Sequence, residues 1–166
     1  MHHCRQEEDT AKLAKQFAAS LAHLMSQKQT IHLNIALEGD LGAGKTTFAR
    51  YLLQSLGHGG RVKSPTYTLC EPYLLQIHQH PFTVYHFDLY RMRDPLEWQD
   101  TGFAEHFDTT GLCLIEWPEK AEGTLPAFDI QIQLMAGADE NERAITFHGL
   151  SAEGNTVVEA LKNHPR

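Results

Sequence analysis

The chain has 166 residues, of which 42% are hydrophobic and 21% are charged, and its formal net charge is −7. These values are typical of a globular protein and indicate one domain over residues 1–166. They argue against a protein that binds nucleic acid by itself, because such proteins carry a basic face.

The expected location is the cytoplasm. No apolar run approaches the ~18 residues of a membrane span, and the N-terminus has no apolar stretch of the kind found in secretion signals. The cysteines, Cys4, Cys70 and Cys113, are odd in number and widely separated, which argues against a disulfide framework or a zinc site.

The first predicted element is a helix over residues 8–27. Leu13, Phe17, Leu21 and Leu24 recur at helical spacing, and Asp9 or Thr10 would cap its start. This helix is expected to pack on the sheet of the core.

A glycine-rich loop lies between a predicted strand and a predicted helix. Residues 31–37 are rich in β-forming side chains, Gly39–Thr47 reads GDLGAGKTT, and residues 46–56 have helical spacing. This order aims backbone N–H groups and a helix N-terminus at a phosphate. The pattern predicts a nucleoside triphosphate site, in which Lys45 reaches the β- and γ-phosphates and Thr46 binds Mg²⁺.

Residues 61–69 contain a proline and several hydroxyl side chains. In phosphate-loop enzymes a hydroxyl in this region often senses the γ-phosphate, a role that Ser64 or Thr66 would fill. A polar loop that leads into the next strand is the alternative.

Residues 67–75 and 82–90 predict two strands, with residues 76–81 as the turn of a hairpin. The second strand is nearly all apolar except for Asp88. A buried carboxylate either pairs with a cation such as Arg91 or faces the nucleotide, and the nucleotide pocket is favoured.

A second acidic residue ends an apolar run. Residues 95–107 predict a helix, and residues 111–116 predict a buried parallel strand that ends at Glu116. The tip of such a strand delivers a carboxylate to Mg²⁺ directly, through water, or to the attacking water. Trp117 either packs on the core or covers the nucleotide.

The C-terminal part alternates between apolar and polar residues over 128–135 and 143–148, which predicts an antiparallel pair, and a helix fits 152–162. The expected fold class is α/β: a phosphate-loop NTPase-like, mostly parallel sheet flanked by helices, with antiparallel strands added. The nucleotide would lie at the C-terminal ends of the strands.

The nucleotide is expected to be ATP, because no N/T-K-x-D guanine-reading segment is present. A slow ATPase that acts on partner proteins and a small nucleoside or metabolite kinase both fit the motifs. No compact arginine-bearing lid is recognisable between residues 117 and 127, which favours the ATPase. A module that binds ATP without turnover is the third possibility.

Four motifs together resemble the TsaE (YjeE) family of bacterial ATPases. They are GDLGAGKTT at 39–47, VKSPTYTL at 62–69, YHFDLYR at 85–91 and IEWP at 115–118. The resemblance implies a Mg²⁺-dependent ATPase required for threonylcarbamoyladenosine at position 37 of tRNA. It would join the TsaB and TsaD proteins, reset that complex between turnovers, and touch tRNA only within the assembly.

The resemblance also implies roles for individual residues. Thr46 and Glu116 would hold Mg²⁺, Asp88 would act near the metal or the attacking water, and Ser64 with Thr66 would form a switch loop. Trp117 would line the site, Arg143 would contact the nucleotide, and Glu7 is a candidate for the base pocket. The phosphates would be bound by Gly42, Ala43, Gly44, Lys45, Thr46 and Thr47.

Overall fold

The computed structural model of the protein describes residues 1–63, 65, 67–100 and 102–163. Its centre is a seven-stranded sheet. The strands are β1 (His2–Cys4), β2 (His32–Glu38), β3 (Cys70–Ile77), β4 (His80–Asp88), β5 (Gly111–Glu116), β6 (Ile130–Ala136) and β7 (Arg143–Gly149). The helices are α1 (Glu7–Gln27), α2 (Lys45–Ser55), α3 (Glu97–Asp100) and α4 (Ala152–Lys162), with 3₁₀ turns at Phe103–Asp108 and Pro118–Ala121.

The order of the strands across the sheet is β1-β7-β6-β2-β5-β4-β3. The inner strands β6, β2, β5 and β4 run parallel, and β3 and β7 join their edges antiparallel. This arrangement confirms the predicted fold class, a parallel sheet with antiparallel additions. It also brings the C-terminal ends of β2, β4 and β5 to the same edge of the sheet.

Helices cover both faces of the sheet, so each face has its own apolar core. On one face α1, α2 and α4 pack against the strands, and the rings of Phe17, Phe48 and Phe147 meet with centroids 5.1 to 6.2 Å apart. On the other face Phe87, Trp98 and Phe107 lie against each other at 5.4 to 5.5 Å. None of the described helices is long and apolar enough to cross a membrane.

Most predicted elements are confirmed to within a few residues. The buried face of α1 is the one that the apolar spacing predicts. Leu13, Phe17, Leu21 and Leu24 are all buried. The start of that helix differs from the prediction. Asp9 lies inside the first turn, where its carboxylate accepts from the backbone N–H of Gln6, so the helix begins two residues before Asp9.

The predicted helix at 95–107 is wrong in extent. The structure has the short α3 and a separate 3₁₀ turn, and Gly102 between them adopts φ 78°. A left-handed residue ends the run of helical hydrogen bonds, so the apolar spacing on either side belongs to two elements.

Two strand assignments also change. The hairpin turn is tighter than the predicted 76–81, because only His78 and Gln79 lie between β3 and β4, both with positive φ. Two such residues match the right-handed twist of the paired strands. The strand β1, which pairs with β7 at the sheet edge, was not predicted, because three polar-looking residues carry no periodic signal.

Candidate nucleotide-binding site

The glycine loop leaves the end of β2 and enters α2 with its backbone close to other parts of the chain. Gly44, directly before α2, has φ 99°, a conformation that strains residues with a Cβ. A Cβ on Gly39 would lie 2.5 Å from the carbonyl oxygen of Leu134 in β6. The loop therefore depends on glycine both for its turn and for its contact with the sheet.

Lys45 is the first residue of α2 and is only 5% exposed. Its ammonium donates to the carbonyl oxygens of Gly39 and Asp40, and it lies over the ring of Trp117. Burial lowers the pKa of Lys45, and the carboxylates of Glu116, Glu119, Asp88 and Asp40 act in the opposite direction. A cation is thus held inside the loop by backbone oxygens.

Thr46 and Glu116 meet at the mouth of the loop. The hydroxyl of Thr46 donates to both carboxylate oxygens of Glu116, at 2.9 and 3.1 Å, although the two residues are 70 positions apart. Glu116 is the last residue of β5 and is 2% exposed. Since β5 is parallel to β2, its C-terminal end delivers the carboxylate to the loop that follows β2.

The carboxylate of Glu116 has a second partner behind it. The Nε2 atom of His86, on β4, lies 2.6 Å from Oε2 of Glu116, and the side chain of His86 is fully buried. The other ring nitrogen, Nδ1, is buried and has no hydrogen-bond partner among the described residues. Glu116 is therefore contacted from two sides, by Thr46 and by His86.

Asp88 ends β4, directly beside Glu116 in the register of the sheet. Its Oδ1 atom accepts from the backbone N–H of Tyr90 at 3.0 Å. The ring of Tyr90 packs at 4.9 Å against Trp117, which has φ 60°. These residues bring two carboxylates and two aromatic rings to one edge of the sheet.

Arg143, the first residue of β7, faces the loop from the opposite side. Its guanidinium donates to the carbonyl oxygens of Glu140 and Glu142, at 2.6 and 2.8 Å. A Cβ on Gly44 would lie 2.7 Å from Nε of Arg143, so the arginine passes directly over this glycine.

The glycine loop, the ends of β4 and β5, and Arg143 line a cavity of about 440 Å³, within the size range of small-molecule sites. Its walls carry the cationic groups of Lys45, Arg91 and Arg143, the N-terminus of α2, and the oxygen donors of Thr46, Asp88 and Glu116. The cations suit phosphate oxygens, and the hard oxygen donors suit a divalent cation such as Mg²⁺.

Comparison with known proteins identifies the family. The profile described as "Threonylcarbamoyl adenosine biosynthesis protein TsaE" matches residues 4–145, most of the chain. The chain belongs to the TsaE family. The predicted resemblance is confirmed.

Individual TsaE proteins are similar over most of their length. One from Haemophilus influenzae is 41% identical over 152 residues, which are 92% of this chain and 90% of the relative. One from Bacillus subtilis is 39% identical over 130 residues, which are 78% of each protein. Both carry the name tRNA threonylcarbamoyladenosine biosynthesis protein TsaE. The crystal structure of Bacillus subtilis YdiB has a TM-score of 0.74 and 31% identity, and covers 98% of this chain and 93% of that one.

The structure brings most of the predicted site residues of this TsaE chain to one cavity. Its walls include Gly42, Ala43, Gly44, Lys45, Thr46, Thr47, Asp88, Glu116, Trp117 and Arg143. Glu7 lies in a small neighbouring cleft that shares Gly44 and Arg143, and its carboxylate pairs with Arg50 at 3.3 Å. Ser64 and Thr66 lie outside the described residues, so their predicted switch role stays a prediction.

Sequence reasoning missed three residues that line the cavity and one behind it. Leu41, Tyr90 and Arg91 complete its walls, and His86 supports Glu116. A signal for His86 was present, because it precedes Asp88 by two residues in a strand and therefore shares its face. A polar residue at that position of an apolar strand points to the same site.

Proposed function

We propose that this TsaE chain is a Mg²⁺-dependent ATPase that serves the threonylcarbamoyladenosine modification of position 37 of tRNA. The supporting observation is the contact of Thr46 with Glu116 beside the phosphate loop. It joins a loop suited to phosphates to a carboxylate on a neighbouring strand. The names of the relatives supply the pathway.

In this proposal the phosphate groups lie against the N-terminus of α2. The backbone N–H groups at the loop and the ammonium of Lys45 would bind their oxygens, and Arg143 would reach them from the hairpin of β6 and β7. Lys45 is held by neutral carbonyl oxygens, which it can exchange for the charged oxygens of a nucleotide.

The oxygen donors of Thr46 and Glu116 fit Mg²⁺, which prefers a few hard oxygen ligands together with phosphate and water. When bound, Mg²⁺ would neutralise charge on the phosphates. The hydroxyl of Thr46 donates its hydrogen to Glu116, so its lone pairs remain available as a ligand. Asp88, beside Glu116, would orient the attacking water.

The partners in the proposal are the TsaB and TsaD proteins, with tRNA reached only through that complex. The net charge of −7 supports this division, since an acidic protein gains little from the phosphate backbone of RNA. Hydrolysis that resets a complex is expected to be slow in the isolated chain and faster with the partners.

The test is ATP hydrolysis by the purified chain, with and without Mg²⁺ and with and without a matching TsaB–TsaD pair. Slow Mg²⁺-dependent hydrolysis, below ~1 s⁻¹ and stimulated by the pair, is the expected result. If the TsaB–TsaD pair does not change the rate of hydrolysis and the chain transfers phosphate to a small acceptor, the protein is a nucleoside or metabolite kinase instead. Binding without turnover under all conditions would leave an ATP-binding module.

A further inference from the structure

His86 is a buried polar side chain that lies behind Glu116. Buried polar side chains are uncommon and usually serve folding or function. His86 is 0% exposed and Glu116 is 2% exposed. A carboxylate taken out of water is costly unless donors satisfy its oxygens. Thr46 donates from the loop side, and His86 contacts Oε2 from the sheet side.

The strand register explains how the two side chains meet. Every second residue of a strand lies on the same face. Val84, His86 and Asp88 of β4 therefore lie on the face that packs against α2, together with Leu114 and Glu116 of β5. His86 stands opposite Leu114 in the register of the sheet. Its ring therefore reaches diagonally to Glu116, two residues further along β5 on the same face. His86 does not line the cavity, and its contact with the site is through Glu116.

The hydrogen-bond chemistry selects one form of the ring. An ionised carboxylate only accepts, so Nε2 of His86 must carry the hydrogen in this contact. A hydrogen on Nδ1 would be buried without a partner among the described residues, at a cost of ~1–3 kcal/mol. A hydrogen on Nε2 therefore fits the contact with Glu116.

We propose that His86 is a positioning residue, which donates from Nε2 to Glu116 and holds that carboxylate towards Thr46 at the mouth of the phosphate loop. This inference rests on the proposed function for its link to Mg²⁺. With one oxygen fixed by His86, the carboxylate has a single orientation in which its remaining lone pairs face the cavity. Loss of such a supporting partner typically costs ~10–100-fold in metal affinity or activity.

The first test separates binding of the nucleotide from binding of Mg²⁺. The dissociation constant of ATP is measured by calorimetry in EDTA and in Mg²⁺ for the wild type, His86→Leu and His86→Gln. His86→Leu should leave the affinity in EDTA within about twofold and reduce the gain from Mg²⁺ about tenfold. His86→Gln should restore most of that gain, because the amide N–H₂ of glutamine lies near the position of Nε2.

The matched control is His32→Gln. His32 is half-buried at the far end of β2, where its ring contacts the backbone oxygen of Thr109 and the side chain of Asn34. The control should leave both dissociation constants unchanged. An unaltered gain from Mg²⁺ in folded His86→Leu, or no recovery in His86→Gln, would overturn the inference.

A second measurement needs no variant that could fail to fold. The ¹⁵N spectrum of the histidine rings in the nucleotide-free wild type at pH 7, with the His86 ring assigned through its backbone resonances, reports which nitrogen carries the hydrogen. A hydrogen on Nε2 is expected, and an Nε2 atom that carries no hydrogen overturns the inference. Since this readout involves no hydrolysis, the ATPase proposal and the role of His86 can fail separately.

Discussion

The Nζ atom of Lys45 lies 3.7 Å from the centroid of the Trp117 ring. Lys45 begins α2 and Trp117 directly follows β5, so the contact joins the glycine loop to the edge that carries Glu116. Trp117 adopts φ 60°, which is unusual for a bulky residue and places the ring above the loop. An ammonium over an indole ring is stabilised by the negative face of the ring.

This contact predicts a fluorescence signal. ATP would draw the ammonium of Lys45 to its phosphates and away from the indole, so the emission of Trp117 should change on binding. The other tryptophan, Trp98, is buried and does not line the cavity. Titration with ATP should give a signal that survives Trp98→Phe and disappears in Trp117→Phe. A signal retained in Trp117→Phe would contradict the prediction.

Lys45→Met should abolish tight ATP binding and raise the thermal midpoint of the nucleotide-free protein. Burial lowers the pKa of Lys45 from 10.5, so near neutral pH the fold carries the cost of a buried cation. Because folding lowers the pKa of Lys45, the unfolded chain binds more protons than the fold between the folded and the unfolded pKa. The free energy of unfolding therefore falls as the pH drops through that interval.

Calorimetry and thermal denaturation at pH 7 and pH 10 test both parts. The gain in midpoint from the methionine should be larger at pH 7 than at pH 10. Unchanged ATP binding would remove Lys45 from the proposed site, and a lower midpoint at pH 7 would refute the stability argument.

Glu116→Gln should retain most of the ATP affinity measured in EDTA, lose most of the further affinity that Mg²⁺ supplies, and reduce Mg²⁺-dependent turnover by roughly 100-fold, the effect typical of removing a preorganised electrostatic group. The amide keeps the shape of the side chain but lacks the charge. Glu119→Gln is the matched control, because Glu119 is exposed in the next turn and its charge also acts on Lys45. The turnover rates of both variants are measured in steady-state hydrolysis assays. Full turnover in Glu116→Gln would show that the role of Glu116 is structural.

Arg143→Ala should weaken ATP binding about tenfold, in line with ~1.5–3 kcal/mol for a hydrogen bond to a charged group. The carbonyl oxygens of Glu140 and Glu142 orient the guanidinium over Gly44, so the cation is directed at the loop. Arg93→Ala, at an exposed position outside the cavity, should bind ATP as the wild type does. Equal affinities of the two variants in calorimetry would exclude Arg143.

The cysteines predict a loss of stability at alkaline pH. Burial raises the pKa of Cys70 to about 12 and raises that of Cys113 further, from 9.0. Groups with a raised pKa hold their protons in the fold, so stability is full below pH 9 and falls as the pH rises towards 12. Denaturant unfolding of the wild type and Cys70→Ala should show a shallower decline in the variant. Identical declines would contradict the role of Cys70.

The local part of the site was predictable because its signals are contiguous in the sequence. A β-forming segment, the loop GDLGAGKTT and a helical spacing predicted β2, the glycine turn and α2. An apolar run that ends in an acid predicted β5 and Glu116. These patterns report burial and backbone conformation, which neighbouring residues largely determine.

The sequence by itself determined the family, the α/β fold class, and the segments that could carry phosphate and carboxylate chemistry. Only the tertiary structure decided that Thr46 and His86 hold Glu116 from opposite sides, that Arg143 passes over Gly44, and that residues 2–4 form an edge strand. The reason is that strand order and register place residues side by side that are tens of positions apart. Periodicity records which face a residue occupies, but it carries no information about the partner across the sheet.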